Sequence, residues 1–354
     1  MSVYKGSSFG KPTHIYNKYR KIIPVKAVVI TQEGTRLLDT EVPKIGNNEL
    51  LIQMKACGLC GTDLEKMSGE YTASLPILGH EPAGVVAESK TELFEPGDRV
   101  FVHHHVPDYT CYYCAHGSPT MCPQYRRTNI FPGGFSEYFR VPKENLLGVL
   151  KLPSNLSFEK GTLIEPLATV IRAQRRLGMV KGDTIFISGA GPMGDLHLLL
   201  AKQYGTVIIS DVSEYRLSFA ERLGGITINA KDVDTEVRSL TDGRGADVAI
   251  IASGVPAAIE SAIKSVRRGG KVLLFGVPYK QAVVSPEYLL NNEISLISSN
   301  AAVEEDTKSA LDLLVEGKIQ FEKIITHEFS LDEFFLAVDE AKKGNVIKAI
   351  IKSS

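Results

Sequence analysis

Hydrophobic positions in the first part of the chain follow a strand-like pattern. Between residues 25 and 150, short runs of apolar and β-branched residues are separated by glycine and proline, which is typical of strands joined by turns. These runs are Val25–Ile30, Leu50–Met54, Gly84–Ala87 and Arg99–Val102. The pattern predicts an antiparallel barrel or sandwich over this region.

Near Leu163 the pattern changes to helices that alternate with apolar strands. We predict helices over 163–177, 191–204 and 256–267, and strands over Thr184–Ser188, Val207–Ser210, Val248–Ala252 and Lys271–Phe275. Such alternation indicates βαβ units, and therefore an α/β domain with a parallel sheet. Two helical segments and a final strand, Val346–Ile351, are predicted in the tail, 301–354.

Length, composition and charge narrow the class of protein. The chain has 354 residues, enough for about two domains, and its content of hydrophobic (44%) and charged (23%) residues is ordinary for a soluble globular protein. The net charge of −1 gives no reason to expect a nucleic acid or a membrane as partner. No apolar run reaches the roughly 18 residues of a membrane span, and no signal-peptide pattern opens the chain. We therefore expect a cytoplasmic protein.

The first 24 residues differ from the rest in charge, because they contain lysine and arginine but no acidic residue. We interpret this stretch as an arm that lies on the surface or is partly disordered. The alternative is a contact between subunits.

A glycine-rich motif between a strand and a helix indicates a dinucleotide site. Its residues are Gly189, Ala190, Gly191, Pro192, Met193 and Gly194. The first glycine permits a tight turn, the second allows backbone N–H groups to approach a pyrophosphate, and the third allows close packing of helix and strand. The N-terminus of the helix then binds the negative charge.

The preferred cofactor is indicated by Asp211, which ends the next strand. An acidic residue there accepts hydrogen bonds from ribose hydroxyls and repels a 2′-phosphate, provided that no cationic partner lies beside it. The sequence therefore predicts NAD rather than NADP. Arg216 is interpreted either as a contact to the adenine side or as a solvated helix residue.

The cysteines indicate metal chemistry. All of them lie in the first 122 residues and their number is odd: Cys57, Cys60, Cys111, Cys114 and Cys122. In a reducing compartment such a set indicates metal binding or catalysis rather than a disulfide framework.

Cys60, His80 and Glu81 are the candidates for a catalytic zinc site. Together they offer a thiolate, an imidazole and a carboxylate, a set that leaves one zinc position for water or substrate. Zinc in such a site acts as a Lewis acid on an alcohol oxygen. Thr62 is the candidate that accepts and relays the proton of the alcohol.

A second cluster follows, in which Cys111, Cys114 and Cys122 have the spacing of a structural zinc site. Asp108 is the candidate fourth ligand, and the alternative is that it only caps a turn. Cys57 is interpreted as a small buried residue.

Two other assignments of the cysteines stay open. One is a single zinc ribbon formed by the Cys57/Cys60 and Cys111/Cys114 pairs, although it would leave Cys122 without a role. The other is a thioredoxin-like redox function of Cys57 and Cys60, although no βαβ pattern surrounds them.

The run His103–His105 also invites a metal assignment. Alternation along a strand would place these side chains on opposite faces. We therefore expect a structural or substrate-pocket role for them instead.

Taken together, these motifs resemble the zinc-containing polyol, sugar and threonine dehydrogenases of the medium-chain dehydrogenase/reductase family. The matching segments are CGLCGTD (57–63), GHEPAGVV (79–86), PGDRV (96–100), DYTCYYCAHGSPTMC (108–122), GGFSEY (133–138), IEPLAT (164–169) and GAGPMG (189–194). The segment 108–122, which contains the second cysteine cluster, is called the cysteine lobe. The resemblance implies a GroES-like β-barrel catalytic domain and a Rossmann doubly wound parallel sheet. We expect an extension over 1–24, the catalytic domain over 25–169, the Rossmann domain over 170–300, and a segment over 301–354 that returns to the catalytic domain.

The resemblance also implies roles for individual residues. Cys60, His80 and Glu81 are expected to bind catalytic zinc, and Glu165 to bind it directly or through water. Glu65 stands where many relatives carry a histidine and some sugar dehydrogenases carry glutamate, which favours a sugar or polyol substrate. Asp108 replaces the usual cysteine of the lobe.

The expected function is hydride transfer between a polyol, sugar or other secondary alcohol and NAD. The alternatives are a threonine or simple alcohol dehydrogenase, and a catalytically silent NAD-binding module on the same fold. The late strand Glu293–Ser298 is expected to leave a sheet edge open. Since this edge pairs across a two-fold axis in the family, we expect a homodimer or a homotetramer.

Overall fold

The structure is a computed structural model that describes residues 24–69, 78–276 and 281–353. The predicted arm, 1–24, lies outside the described residues except for its last position. No helix in these three ranges is both long and apolar enough to cross a membrane.

The first part of the chain is mainly antiparallel. Its elements are β1 (Val25–Thr31), β2 (Gly34–Thr40), β3 (Leu50–Gly58), α1 (Gly61–Ser68), β4 (Glu81–Ser89), β5 (Arg99–Val102), α2 (Tyr112–Ala115), β6 (Tyr138–Val141), β7 (Val149–Lys151) and α3 (Phe158–Thr162). β1 and β2 form a separate hairpin. The antiparallel sheet predicted for this region is confirmed.

The second part alternates helices and strands. Its elements are α4 (Ile164–Leu177), β8 (Asp183–Ser188), α5 (Pro192–Ala201), β9 (Gly205–Asp211), α6 (Glu214–Arg222), β10 (Ile226–Asn229), α7 (Val233–Ser239), β11 (Ala246–Ile251), α8 (Pro256–Ser265), β12 (Val266–Leu274), α9 (Pro286–Asn291), β13 (Ser295–Ser298), α10 (Glu304–Glu316), β14 (Ile325–Ser330), α11 (Phe334–Lys343) and β15 (Lys348–Lys352).

Six parallel strands form the sheet of the second part, in the order β10-β9-β8-β11-β12-β13. Every residue of β11 is buried, as expected for a strand covered by helices on both faces. The predicted doubly wound parallel sheet is thus confirmed. The strand order reverses between β8 and β11, and such a switch point opens a crevice for a ligand at the carboxyl ends of the strands.

The last strand of the chain returns to the first part. The seven-stranded sheet has the order β14-β15-β3-β4-β5-β7, with β6 also paired to β3. β15 runs antiparallel to β3, with Ile350 opposite Gly58 and Ile351 opposite Cys57. This pairing brings the C-terminal strand beside the residues that precede Cys60.

Candidate active site and metal centres

The three candidate ligands of the catalytic zinc converge where β3 ends and β4 begins. Gly58, the last residue of β3, is paired with Glu81, the first residue of β4, and Cys60 follows as the N-cap of α1. One ligand atom of each of Cys60, His80 and Glu81 lies within 4.8 Å of the others. Strand pairing therefore places a thiolate, an imidazole and a carboxylate around one point.

Asp63 orients two of these ligands from the interior. Its Oδ1 accepts a hydrogen bond from the Gly79 N–H (3.0 Å) and lies 3.3 Å from His80 Nδ1, while its Oδ2 accepts from the Cys60 N–H (3.1 Å). Burial lowers the pKa of His80, but the charges of Asp63 and Cys60 outweigh it and raise that pKa well above its ordinary value. A carboxylate on Nδ1 leaves the other ring nitrogen available to a metal.

Glu81 is paired with a lysine from the last strand. Lys348 Nζ donates to Glu81 Oε1 (2.7 Å) and to the Leu59 carbonyl (3.1 Å), and both charged side chains are buried. Glu81 Oε2 lies 2.5 Å from the same Nζ but accepts no hydrogen bond from any described residue. A Cβ at Gly58 would lie 1.8 Å from this oxygen, so glycine makes room for the carboxylate.

Glu165 and Thr62 lie around this cluster. Glu165 is buried in the first turn of α4, and among the described residues it is not part of the three-ligand group. Burial raises its pKa, although the nearby charge of His80 opposes this rise. The Thr62 hydroxyl lies 3.7 Å from Cys60 Sγ, and its residue is half-buried.

The cysteine lobe forms a separate cluster. One ligand atom of each of its four candidate residues lies within 4.8 Å of the others: Asp108, Cys111, Cys114 and Cys122. The thiol sulfurs of Cys111 and Cys114 are 3.5 Å apart. Asp108 Oδ1 accepts from the N–H groups of Thr110 (2.8 Å) and Cys111 (2.9 Å), so Asp108 caps a turn and also faces the thiols.

Cys57 lies apart from both clusters. It is fully buried in β3, and a Cβ at Gly134 would come within 2.8 Å of its sulfur. The two Cys-x-x-Cys pairs therefore do not meet in one zinc ribbon.

The glycine motif forms the turn between β8 and α5. Gly189 has φ +107°, and a Cβ there would lie 3.2 Å from the backbone of Ala252, which follows β11 at the switch point. A Cβ at Gly194 would lie 1.8 Å from the Gly189 carbonyl oxygen. Gly191 is the N-cap of α5, and the side that its missing Cβ would occupy is open. Pro192 and Met193 begin the helix.

Asp211 lies beside this turn at the end of β9. Its carboxylate accepts from the N–H groups of Ala190 (2.9 Å) and Ser213 (2.9 Å). The expectation that it has no cationic partner is wrong, because Arg216 Nη1 lies 3.7 Å from Asp211 Oδ2. Helix α6 begins three residues after β9 ends, and its half-buried Arg216 extends back towards the glycine turn, where a Cβ at Gly191 would lie 4.0 Å from Nη1.

The expected separation of His103, His104 and His105 onto opposite faces is also wrong. β5 ends at Val102 and the backbone bends at His104, so strand alternation no longer applies. The ring centroids of the three histidines lie between 3.7 and 5.5 Å apart.

Comparison with known proteins agrees with this geometry. Residues 46–154 match the model for the alcohol dehydrogenase GroES-like domain, and residues 192–316 match that for zinc-binding dehydrogenases. Sorbitol dehydrogenase of Bacillus subtilis is 33% identical over 349 residues, which cover 93% of this chain and 98% of the relative. The chain belongs to the zinc-binding alcohol dehydrogenase family. Its GroES-like and Rossmann folds are those that the sequence predicted.

Other members of the zinc-binding dehydrogenase family are similarly related. L-threonine 3-dehydrogenase of Pyrococcus furiosus is 34% identical over 336 residues, covering 89% of this chain and 94% of the relative. The crystal structure of a putative zinc-binding dehydrogenase from Sinorhizobium meliloti, bound to NADP, has a TM-score of 0.83 and 27% identity, covering 93% of this chain and 99% of that one. The chain is therefore a dehydrogenase of the alcohol dehydrogenase type.

Two residues at the centre of this dehydrogenase were not assigned from sequence. Asp63 follows Cys60 closely, but its contact with His80 depends on how β4 is paired. Lys348 is 267 positions from Glu81 and carries no local signal. Its contact with Glu81 follows from the pairing of β15 with β3.

Proposed function

We propose that this dehydrogenase oxidises a secondary hydroxyl of a polyol or sugar with NAD, at a zinc ion bound by Cys60, His80 and Glu81. The convergence of these three side chains carries the proposal, because three protein ligands leave one position of a tetrahedral zinc for substrate. The buried Glu81 carboxylate and the Asp63-oriented His80 fit a metal at this point. When bound, zinc polarises the alcohol oxygen and NAD accepts the hydride.

The surrounding residues orient the ligands and move a proton. Asp63 holds His80, and Lys348 holds Glu81, so neither ligand is free to rotate. Thr62 lies at the edge of the cluster, where its hydroxyl accepts the proton of the substrate and passes it towards solvent. Glu165 binds zinc directly or through water from the first turn of α4.

NAD binds over the glycine turn at the switch point of the parallel sheet. The turn residues Gly189 to Gly194 and the N-terminus of α5 receive the pyrophosphate. Asp211 accepts hydrogen bonds from the ribose, and Arg216 covers the adenine side. The carboxylate of Asp211 disfavours a 2′-phosphate, although the nearby guanidinium reduces this effect.

The choice of a polyol or sugar rests on two observations. Glu65 occupies the position that favours such substrates, and the sorbitol dehydrogenase of Bacillus subtilis covers almost the whole chain. The threonine dehydrogenase of Pyrococcus furiosus has nearly the same identity. L-Threonine and simple secondary alcohols are therefore the alternatives to be tested.

The test is NAD reduction, followed by absorbance, with a panel of polyols, aldoses, L-threonine and simple secondary alcohols. We expect the highest kcat/KM for a polyol or an aldose. A kcat/KM for L-threonine or a simple alcohol at least about tenfold higher, or roughly 1.4 kcal/mol, would contradict the substrate class. Binding of NAD without turnover of any substrate would instead support a silent NAD-binding module.

We also propose a structural zinc in the cysteine lobe, bound by Asp108, Cys111, Cys114 and Cys122. The proximity of the four ligand atoms supports it. A carboxylate is a harder ligand than a thiolate, so this site is expected to bind zinc less tightly than an all-cysteine site.

A further inference from the structure

Three consecutive histidines beyond β5 form a cluster that the proposed function does not use. One nitrogen of each of His103, His104 and His105 lies within 4.8 Å of a nitrogen of each of the others. His103 is completely buried, and His104 and His105 are half-buried. The bend that follows β5 therefore gathers three imidazoles in one place.

Each of these rings retains a nitrogen without a hydrogen-bond partner. His103 Nε2, His104 Nδ1 and His105 Nε2 are buried, and no residue in the described part of the chain bonds to them. A buried polar group left unpaired destabilises the folded state, and here three such nitrogens lie in one cluster. A cation that accepts lone pairs from all three rings would remove this cost.

A carboxylate lies beside one ring nitrogen of His103, as is usual for a histidine that binds a metal through the other nitrogen. Its Nδ1 lies 3.4 Å from Oε1 of Glu304, the first residue of α10. A carboxylate on one ring nitrogen fixes the tautomer and leaves the lone pair on the other. That other nitrogen, Nε2, is the one without a partner.

The spacing of the rings agrees with a shared ion for two of the three pairs. Two imidazoles that bind one ion at about 2 Å hold their centroids roughly 5 Å apart. The centroid of His103 lies 5.5 Å from that of His104 and 5.3 Å from that of His105. The ring centroids of His104 and His105 are 3.7 Å apart, so these two rings must separate for both to bind one ion.

We propose that His103, His104 and His105 form a further metal site, distinct from the catalytic zinc ligands and from the cysteine lobe. Three imidazoles without a thiolate or carboxylate select Zn²⁺, Ni²⁺ or Cu²⁺ over Mg²⁺ or Ca²⁺. The site lies next to the proposed catalytic centre, because the ring centroids of His104 and His80 are 5.3 Å apart. It does not depend on the identity of the substrate.

The first test is the zinc content per chain after equilibration in a zinc buffer. We compare the wild type with His105→Gln, His104→Gln and a control, His327→Gln, which changes an exposed histidine of β14. Both cluster variants should lose about one zinc equivalent per chain relative to the wild type, and the control should lose none. Glu304→Gln should retain the site but weaken its zinc affinity about tenfold.

Cobalt substitution separates this site from the two that contain cysteine. Only Co²⁺ bound to a thiolate gives a thiolate-to-metal charge-transfer band, so the cluster variants should lose cobalt while this band is unchanged. Equal metal content in the wild type and both variants would overturn the proposal. Loss of metal together with the charge-transfer band would also overturn it, because the histidines would then act only by supporting the cysteine sites. If His105→Gln does not fold, the half-buried His104→Gln decides the outcome.

Discussion

Lys348 Nζ lies 2.5 Å from Oε2 of Glu81, and both side chains are withdrawn from solvent. The last strand of the chain therefore supplies the charge that balances a carboxylate of the proposed zinc centre. An ion pair of this kind is costly to break from one side only, because the remaining charge is left buried without compensation. The pairing of β15 with β3 therefore both extends the seven-stranded sheet and brings Lys348 to Glu81.

The first prediction concerns this pair. Lys348→Met should lower the free energy of unfolding of the metal-free protein by about 3–5 kcal/mol, since it leaves Glu81 charged and unpaired in the interior. Lys352→Met is the matched control, because Lys352 lies on the same strand but makes solvent-accessible ion pairs with Glu159 and Glu328, and such pairs contribute about 1 kcal/mol or less. Urea unfolding measures both variants. Equal decreases in the free energy of unfolding of the two variants would show that the buried pair stabilises the fold no more than the pairs of Lys352 do.

The fold could be predicted where strands contain a continuous buried apolar run. β8, β9 and β11 are continuous apolar runs, and their pattern places them correctly. β10 and β14 were missed because they lie at sheet edges, where most positions are only partly buried or exposed and the apolar signal is weak. The amphipathic helices α6 and α7 were missed for the same reason, since few of their residues are buried.

The candidate site could be predicted in part. Residue types were sufficient to group Cys60 with His80 and Glu81. The three histidines were wrongly expected on opposite faces, because β5 ends at Val102 and strand alternation does not extend to them. Contacts over long sequence separation, such as that of Lys348, depend on strand pairing and cannot be obtained from a local pattern.

The second prediction concerns the cysteine lobe. Asp108→Cys should increase zinc retention against a chelator and leave the catalytic constants nearly unchanged, because a thiolate is the better zinc ligand. Asp108→Ala should lower both the zinc content and the Tm. If Asp108→Ala changes neither quantity, Asp108 only caps its turn and is not a ligand.

The third prediction concerns cofactor choice. Asp211→Ala should lower kcat/KM for NAD and reduce the ratio of kcat/KM for NAD to that for NADP. The substitution removes the acceptor for the ribose hydroxyls and leaves Arg216 free to contact a 2′-phosphate. Steady-state kinetics with both cofactors measure the ratio. A wild-type enzyme that prefers NADP by roughly tenfold or more would refute the role assigned to Asp211.

The fourth prediction concerns Asp195, a buried carboxyl in the first turn of α5. Neither of its oxygens has a hydrogen-bond partner among the described residues. Burial raises the pKa of Asp195 to about 8, with Arg216 opposing the rise and Asp211 adding to it. The folded state therefore favours the protonated acid, and this stabilisation is present below about pH 4 and lost as the pH rises towards 8.

The variant Asp195→Asn tests this linkage, because the amide has the same shape and no charge. Relative to this variant, the wild type should lose about 1.4 kcal/mol of unfolding free energy per pH unit between roughly pH 4 and pH 8. The exposed Asp339→Asn is the control and should show no such divergence. If the free energy of unfolding of the wild type and of Asp195→Asn had the same dependence on pH, the prediction would be contradicted.

The fifth prediction concerns two of the proposed zinc ligands, Cys60 and His80. Cys60→Ser and His80→Ala should each abolish NAD reduction but retain NAD binding, because the glycine turn that receives the cofactor belongs to the other sheet. Calorimetric titration with NAD serves as the control for folding. Loss of NAD binding in both variants would show that the two sites are not independent.

The most direct measurement of the central claim is the rate of NAD reduction by the wild-type enzyme before and after removal of zinc by a chelator. We expect that the stripped enzyme still binds NAD, that it has no turnover with the best substrate of the panel, and that added Zn²⁺ restores the original rate. Unchanged turnover in the zinc-free enzyme would contradict this claim.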